Sequence, residues 1–190
     1  MGIREDQKEQ RRTDILVAAL DLFIRKGYAA TKITDIAKAV GMSTGLLFHY
    51  FDSKEALYEA LIEVGVSGPQ GVMQLNHEDP LAFFRDSTAM ILESLTTHPL
   101  SAKLFVLMIQ AYYSEPISDK VKEMLGNSAA IEESVPVIVR GQELGQIKAG
   151  NPFALSLTFW SAVQGVAQAF AWDMSLPLPE VGWFLDILRA

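Results

Sequence analysis

The sequence of 190 residues contains no cysteine, and this absence excludes several kinds of site. A disulfide framework, a thiolate metal centre and a cysteine redox switch all need thiols, so a reducing compartment is expected. The first fourteen residues also lack the apolar run of a secretory signal peptide. Together these absences predict a cytoplasmic protein.

Charge is distributed unevenly along the chain, whose net charge is −7. Residues 1–60 carry nine basic and nine acidic side chains, whereas residues 61–190 carry seven basic and fourteen acidic ones. All the excess acid therefore lies in the second part, which points to two segments with different partners.

The hydrophobic pattern is helical, and 49% of the residues are apolar, enough for a substantial core. No stretch shows the alternation of a half-buried strand, so we predict an all-α fold. After the first 60 residues, long helices are expected over residues 80–97, 100–113, 117–147, 152–173 and 179–189.

Within the first 60 residues we predict short helices whose end signals are closely spaced. Gly41 suits a left-handed helix end, and Ser43 is a natural N-cap for a helix over residues 44–50. Asp52 and Glu55 resemble a capping box for a fourth helix that begins at Lys54. Tight turns between short helices follow from these signals.

The fourth helix then meets the cluster Gly65, Gly68 and Pro69, which should kink or interrupt it. We place the boundary between the two segments there. The cluster is either a hinge or a plain helix end.

Residues 149–172 contain no charged side chain, which raises the possibility of a membrane span. Several polar residues and a soluble helix start at Asn151 and Pro152 favour a helix buried between its own core and another subunit. We therefore expect no membrane insertion.

Residues 32–51 fit two short helices joined by a glycine-containing turn, the pattern of a helix-turn-helix. In that motif the second helix enters the DNA major groove while neighbouring groups hold phosphates. A plain helical hairpin has the same spacing and is the alternative.

A longer motif surrounds this pair. It consists of Ile15-x-x-Ala18-Ala19-x-x-Leu22-Phe23-x-x-x-Gly27, Thr31, Ile36-Ala37, Gly41-x-Ser43-x-Gly45, Phe48-x-Tyr50-Phe51 and Lys54-Glu55-x-Leu57. With this motif, residues 9–69 resemble the TetR family of transcriptional regulators, and residues 141–165 show a looser resemblance to the junction of the seventh and eighth family helices.

The resemblance implies a DNA-binding head over residues 9–69 and a ligand-binding and dimerisation body over residues 70–190. It implies a homodimer through residues 152–189, where a four-helix bundle would expose Val166 and Leu185 to the partner. Carried over by position, the DNA-contacting residues are Lys32, Thr34, Ser43, Thr44, Gly45, His49, Tyr50 and Lys54.

The expected recognition helix lacks the side chains best suited to reading guanine or adenine. Residues 44–50 contain no Arg, Asn or Gln. Base discrimination should then depend on Thr44, His49, Lys32, apolar contact with thymine methyl groups and DNA shape, whereas Tyr50 and Lys54 should hold phosphates.

Catalytic and metal chemistry find little support. His49, His77 and His98 do not pair at helical spacing, and no nucleophile stands beside a base, so we predict no zinc site, no cofactor and no enzyme. The body is rich in aromatic and Met side chains, most of which should form its core. A minority should line a pocket for an apolar ligand, with candidates Phe84, Met108, Gln110, Tyr113, Trp160 and Gln164.

Two functions therefore stay open. The first is a transcriptional repressor that binds a palindromic operator as a dimer and is released by a ligand. The second is a helical small-molecule binding protein or enzyme that keeps this scaffold without binding an operator.

Overall fold

The computed structural model describes residues 3–73, 78–97, 99–115, 117–126 and 130–190. Within these ranges the chain is helical, with one isolated antiparallel bridge between Ile147 and Arg189. The predicted all-α class is confirmed. The helices are α1 Ile3–Lys26, α2 Ile33–Ala39, α3 Thr44–Phe48, α4 Lys54–Met73, α5 Pro80–Thr97, α6 Pro99–Tyr113, α7 Asp119–Gly126, α8 Ala130–Glu133, α9 Val135–Glu143, α10 Pro152–Trp172 and α11 Val181–Leu185.

Two of the predicted long helices are wrong in extent. The segment 117–147 contains α7, α8 and α9, because Pro136 lacks a backbone N–H and sits at the start of a new helix after Ser134. The predicted helix 179–189 shortens to Val181–Leu185, and the chain then turns to pair with Ile147.

The end signals of the short helices are mostly confirmed. Gly41 has φ +67°, and the amides of Gly41 and Met42 bond back to α2 in a Schellman arrangement. Ser43 Oγ accepts from the Leu46 amide, as predicted for the N-cap of α3. The capping box from Asp52 is wrong, because Ser53 Oγ accepts from the Ala56 amide at 2.9 Å.

Helix α4 runs unbroken to Met73, so the predicted interruption at Gly65, Gly68 and Pro69 is wrong for the backbone. The side chains of residues 68–73 lie outside the described part of the chain. Gly65 has a different role: a Cβ there would collide with the Sδ and Cγ atoms of Met108. The glycine therefore lets α4 pack closely against α6.

Two hydrophobic clusters form the core. The first contains the expected head residues Ile36, Ala37, Leu47 and Phe51, all buried, and it continues into α6 and α7. The second joins α5, α9, α10 and α11. The helix-turn-helix is thus held by α1 and α4, which in turn pack on α6.

Among the described residues, no helix combines the length and apolar character needed to cross a membrane. Helix α10 begins as predicted, with Asn151 Oδ1 accepting from the Ala154 amide at 3.0 Å and Pro152 in its first turn.

Candidate nucleic-acid interface

Helix α3 presents an outward surface that the head core does not use. Leu47 is fully buried beneath it, whereas Leu46 and Phe48 are each 44% exposed. Exposed apolar side chains on a short polar-capped helix suit contact with thymine methyl groups. The apolar base contact expected from the sequence stays a prediction.

The residues predicted for DNA contact lie at the N-terminal end of α2, in and beside α3, and at the start of α4. Five of them are exposed and three are half-buried. The exposed ones are Lys32, Thr34, Ser43, Gly45 and His49, and the half-buried ones are Thr44, Tyr50 and Lys54.

Lys54 has a role inside the head that the sequence did not reveal. Its Nζ donates to the carbonyls of Tyr28 at 2.8 Å and Thr31 at 2.9 Å, and it lies 4.1 Å from the centre of the Tyr28 ring. Two of its three N–H groups are therefore used to tie the α1–α2 turn to the start of α4. The phosphate contact expected of Lys54 stays a prediction.

Arg12 is a second head residue with an unforeseen contact. Its Nη1 donates to the Tyr50 carbonyl at 3.3 Å, and its guanidinium lies 4.3 Å from the centre of the Phe51 ring. Arg12 stands three positions before the buried Ile15, so helical spacing alone places both on one side of α1. This contact fixes the C-terminal end of α3.

Ionic and aromatic contacts stiffen the rest of the head. Lys26 Nζ lies 3.2 Å from Asp35 Oδ2, and this hydrogen bond lowers the pKa of the Asp35 carboxyl. The Tyr58 ring meets those of Phe23 and Tyr28 edge-on. Burial raises the pKa of Tyr58 to about 12, so its phenol stays neutral at physiological pH.

Polar contacts connect the head to the body. Lys103 Nζ on α6 lies 2.6 Å from Asp21 Oδ1 on α1, with both side chains about one-third exposed. On the other side, Glu59 of α4 accepts from Ser118 Oγ at 2.8 Å and from Lys120 Nζ at 3.1 Å. The hydrogen bond from Ser118, assisted by Lys120, lowers the pKa of the Glu59 carboxyl. These contacts connect α6 to α1 and the start of α7 to α4.

Of the six residues predicted to line a ligand pocket, the structure brings Phe84 and Trp160 together, with their ring centres 6.2 Å apart. Phe84 and Trp160 belong to the second core cluster, and Met108 packs against the first. Gln110 is exposed and donates to the Ile24 carbonyl, and Tyr113 is 81% exposed. Gln164, half-buried, lies one turn beyond Trp160. A groove of about 460 Å³ exists elsewhere, on the α1 and α2 surface, and includes none of these residues.

Trp160 is also engaged in a buried polar chain. Its Nε1 donates to Ser134 Oγ at 2.9 Å, Ser134 bonds to Ser156 at 2.8 Å, and Ser156 donates to the Ile131 carbonyl at 2.8 Å. These hydrogen bonds satisfy groups that would be costly to bury alone. They attach the break between α8 and α9 to α10.

One face of α10 is apolar or uncharged and exposed. Phe153 and Leu157 are 45% and 43% exposed, and Ser161 and Gly165 continue the same stripe at intervals of four residues. Trp172 at the end of the helix is 93% exposed. Leu185, by contrast, is buried in the second cluster and Val166 is half-buried, so the expectation that Leu185 faces outward is wrong.

Metal ligands are not grouped in the described part of the chain, where no three His, Asp or Glu side chains converge. His49 is exposed at the end of α3, and His77 and His98 lie outside the described residues.

Comparison with known proteins agrees with this geometry. The family model described as bacterial regulatory proteins, tetR family, matches residues 15–61. The HTH-type transcriptional regulator RutR of Escherichia coli K12 is 29% identical over 169 residues, covering 87% of this chain and 78% of RutR.

Solved structures show the same fold. The TetR family regulator PfmR from Thermus thermophilus has a TM-score of 0.68 at 22% identity, covering 90% of this chain and 93% of PfmR. AibR, solved in complex with isovaleryl coenzyme A and operator DNA, has a TM-score of 0.68 at 19% identity, covering 93% of this chain and 94% of AibR. The family model, the relative and the exposed helix-turn-helix agree: residues 15–61 match the DNA-binding domain of the tetR family, and this chain is a DNA-binding transcriptional regulator.

Proposed function

We propose that this regulator is a repressor that binds a palindromic operator as a homodimer and is released when a small apolar ligand binds its body. It acts on DNA in the cytoplasm and has no catalytic role. The observation that carries the DNA-binding part is the outward surface of α3, where Thr44, Leu46, Phe48 and His49 leave side-chain surface outside the core.

The division between base and phosphate contacts can be tested on two neighbouring residues. Thr44→Ala should reduce the preference for operator over random DNA, by roughly 2- to 10-fold per half-site for loss of a single hydrogen bond to a base. Tyr50→Phe should weaken binding to operator DNA and to random DNA by the same factor, because a phosphate hydrogen bond carries no sequence information. Tyr50 is chosen instead of Lys54, which also stabilises the head.

Gel-shift titrations of DNA flanking its own gene and of a random duplex, at fixed salt, measure both effects. Identical behaviour of the two variants would refute the assignment of roles. Absence of sequence-preferring binding by the wild-type protein would reject the operator and leave a helical small-molecule binding protein on this scaffold.

Dimerisation is proposed through the exposed face of α10, together with Trp183 of α11, which is 63% exposed. Two-fold packing of this face would cover apolar surface that one chain leaves in water. A dimer would also set the two α3 helices about 34–36 Å apart, one turn of DNA.

We propose that ligand binding releases the DNA through α6 and the start of α7, which bond to Asp21 and Glu59 of the head. AibR, with its isovaleryl coenzyme A, is a fold relative that holds a ligand and operator DNA. An inducer would shift α6, and the bridge from Lys103 would carry the shift to α1 and change the spacing of the heads. Coupling of about 1–3 kcal/mol, or roughly 5- to 150-fold in affinity, is typical of such linkage.

Release by a ligand can be tested because the effects of ligand and operator on each other's affinity are reciprocal. A small apolar compound that weakens operator binding must itself bind the operator complex more weakly by the same factor. Calorimetric titration of one compound into the free dimer and into the dimer–operator complex should show that difference. Equal affinities in the two titrations would show that the compound is no inducer, however tightly it binds.

A further inference from the structure

Helix α1 extends well beyond the hydrophobic core. It begins at Ile3, twelve residues before the fully buried Ile15, which corresponds to roughly 18 Å of helix. Residues 4–14 include no apolar side chain, and residues 5–11 are all exposed. Residues 5–11 therefore bury no hydrophobic surface that would account for this part of the helix.

Two basic side chains of the extension share one face of α1, and two acidic ones, Glu5 and Asp14, lie at the edges of that face, each three residues from a basic one. Lys8 and Arg11 lie seven and four residues before Ile15, so they share the side of α1 that faces the head core further along. Asp6 and Glu9, nine and six residues before Ile15, lie on the far side. Lys8 and Arg11 are also neighbours on the helix surface, where like charges repel and an anion would be stabilised.

The position of this face is fixed by Arg12. Because the Arg12 guanidinium reaches the Tyr50 carbonyl and the Phe51 ring, this side of α1 lies against the C-terminal end of α3. Arg11 directly precedes Arg12 and Lys8 lies one turn before it, so both continue along α1 beyond the residue that contacts the Tyr50 carbonyl. Neither forms a salt bridge within the ranges the structure describes.

We infer that Lys8 and Arg11 form a second DNA-binding surface, which contacts backbone phosphates next to those reached by α3 and Tyr50. The inference rests on the proposed operator binding and adds to it a contact outside the helix-turn-helix. Because phosphates carry no sequence information, the surface adds affinity and orientation without adding base preference.

The double variant Lys8→Ala/Arg11→Ala tests this surface on random DNA over a range of salt concentrations. Removal of one phosphate interaction reduces the slope of log affinity against log salt by about 0.9, so a dimer without these four side chains should have a slope smaller by about 3.6. Between about 50 and 200 mM salt, wild-type affinity should then fall roughly 150-fold more than that of the variant. Preference for operator over random DNA should not change.

A matched control removes the same charge from the body. Arg140 and Arg189 are exposed basic residues paired with nearby carboxylates, and Arg140→Ala/Arg189→Ala should leave the slope near the wild-type value. Alanine is a good helix former, so the α1 variant should keep its fold, which circular dichroism verifies.

Phosphate ethylation interference on the operator gives an independent readout. Ethylation of certain operator phosphates should weaken binding of the wild-type protein. Ethylation of the same phosphates should no longer affect binding of the α1 double variant. A slope for the α1 variant equal to that of the control, or unchanged interference, overturns the inference while leaving the operator proposal intact. If wild-type protein binds no DNA at all, the proposed function fails, and this inference fails with it.

Discussion

Leu157→Arg is expected to convert the proposed dimer into monomers. Leu157 lies in the middle of the exposed α10 stripe, between Phe153 and Ser161, and is 43% exposed in the single chain. In a two-fold interface each substitution appears twice, so two guanidinium groups would be buried without partners. Light scattering should report the mass of one chain.

The loss of the dimer should be visible in DNA binding as well. A single head binds one half-site, whereas a dimer gains from the high effective concentration of its second head. Affinity for a palindromic operator should fall by roughly 100- to 10,000-fold.

Leu144→Arg is a matched control, because Leu144 is 44% exposed but follows α9 on a different part of the body. It should remain dimeric and keep its operator affinity. A dimeric Leu157→Arg protein together with a monomeric Leu144→Arg protein would move the interface to the end of α9.

Phe84→Ala should destabilise the protein by roughly 3–5 kcal/mol, the typical cost of removing a buried aromatic ring. Phe84 is fully buried, and its ring lies 4.7 Å from that of Phe159 and 6.2 Å from that of Trp160, measured between ring centres. Few neighbouring groups can collapse into the space, because the surrounding rings are themselves held in the core. Urea unfolding measures the difference.

This result separates a core role from a ligand-pocket role for the same residue. Tyr113→Ala is the comparison, since the sequence predicts Tyr113 for the same pocket but its side chain is 81% exposed. Its effect on the free energy of unfolding should stay within about 0.5 kcal/mol. A cost below about 1 kcal/mol for Phe84→Ala would instead indicate a ring that borders an open cavity.

Local signals in the sequence predicted much of the head. Gly41 and Ser43 act through backbone groups within five residues, so residue type and spacing suffice to place the α2–α3 turn. The start of α4 shows the limit of such signals. Asp52 and Ser53 are both good caps, and only the folded backbone determines that Ser53 is used.

Contacts between distant residues could not be predicted from one sequence. Lys54 meets carbonyls 23 and 26 residues earlier, and a lysine at that position has the same local pattern whether it meets a carbonyl or a phosphate. Likewise, helical spacing gathers the apolar residues of the last helices without showing which face is inward. The outward orientation predicted for Leu185 is wrong for this reason.

The choice of ligand-pocket residues also depends on contacts between distant residues, which one sequence does not give. Aromatic and Met side chains fill cores and line pockets with equal ease, so composition cannot separate the two roles. The break after Ser134 was different, because Pro136 marks it in the sequence and Pro is favoured in the first turn of a new helix.

The first core cluster has a consequence for folding. Apolar residues of α1 and α4 share this cluster with four residues of α6 and α7, namely Leu107, Ala111, Val121 and Leu125. Part of the hydrophobic core of the head is therefore formed by helices of the body. A fragment cut after α4 would leave that surface in water, so we expect the head not to fold on its own. Cooperative melting of head and body follows, and a chimera that transplants this head onto another body would have to bring α6 and α7 with it.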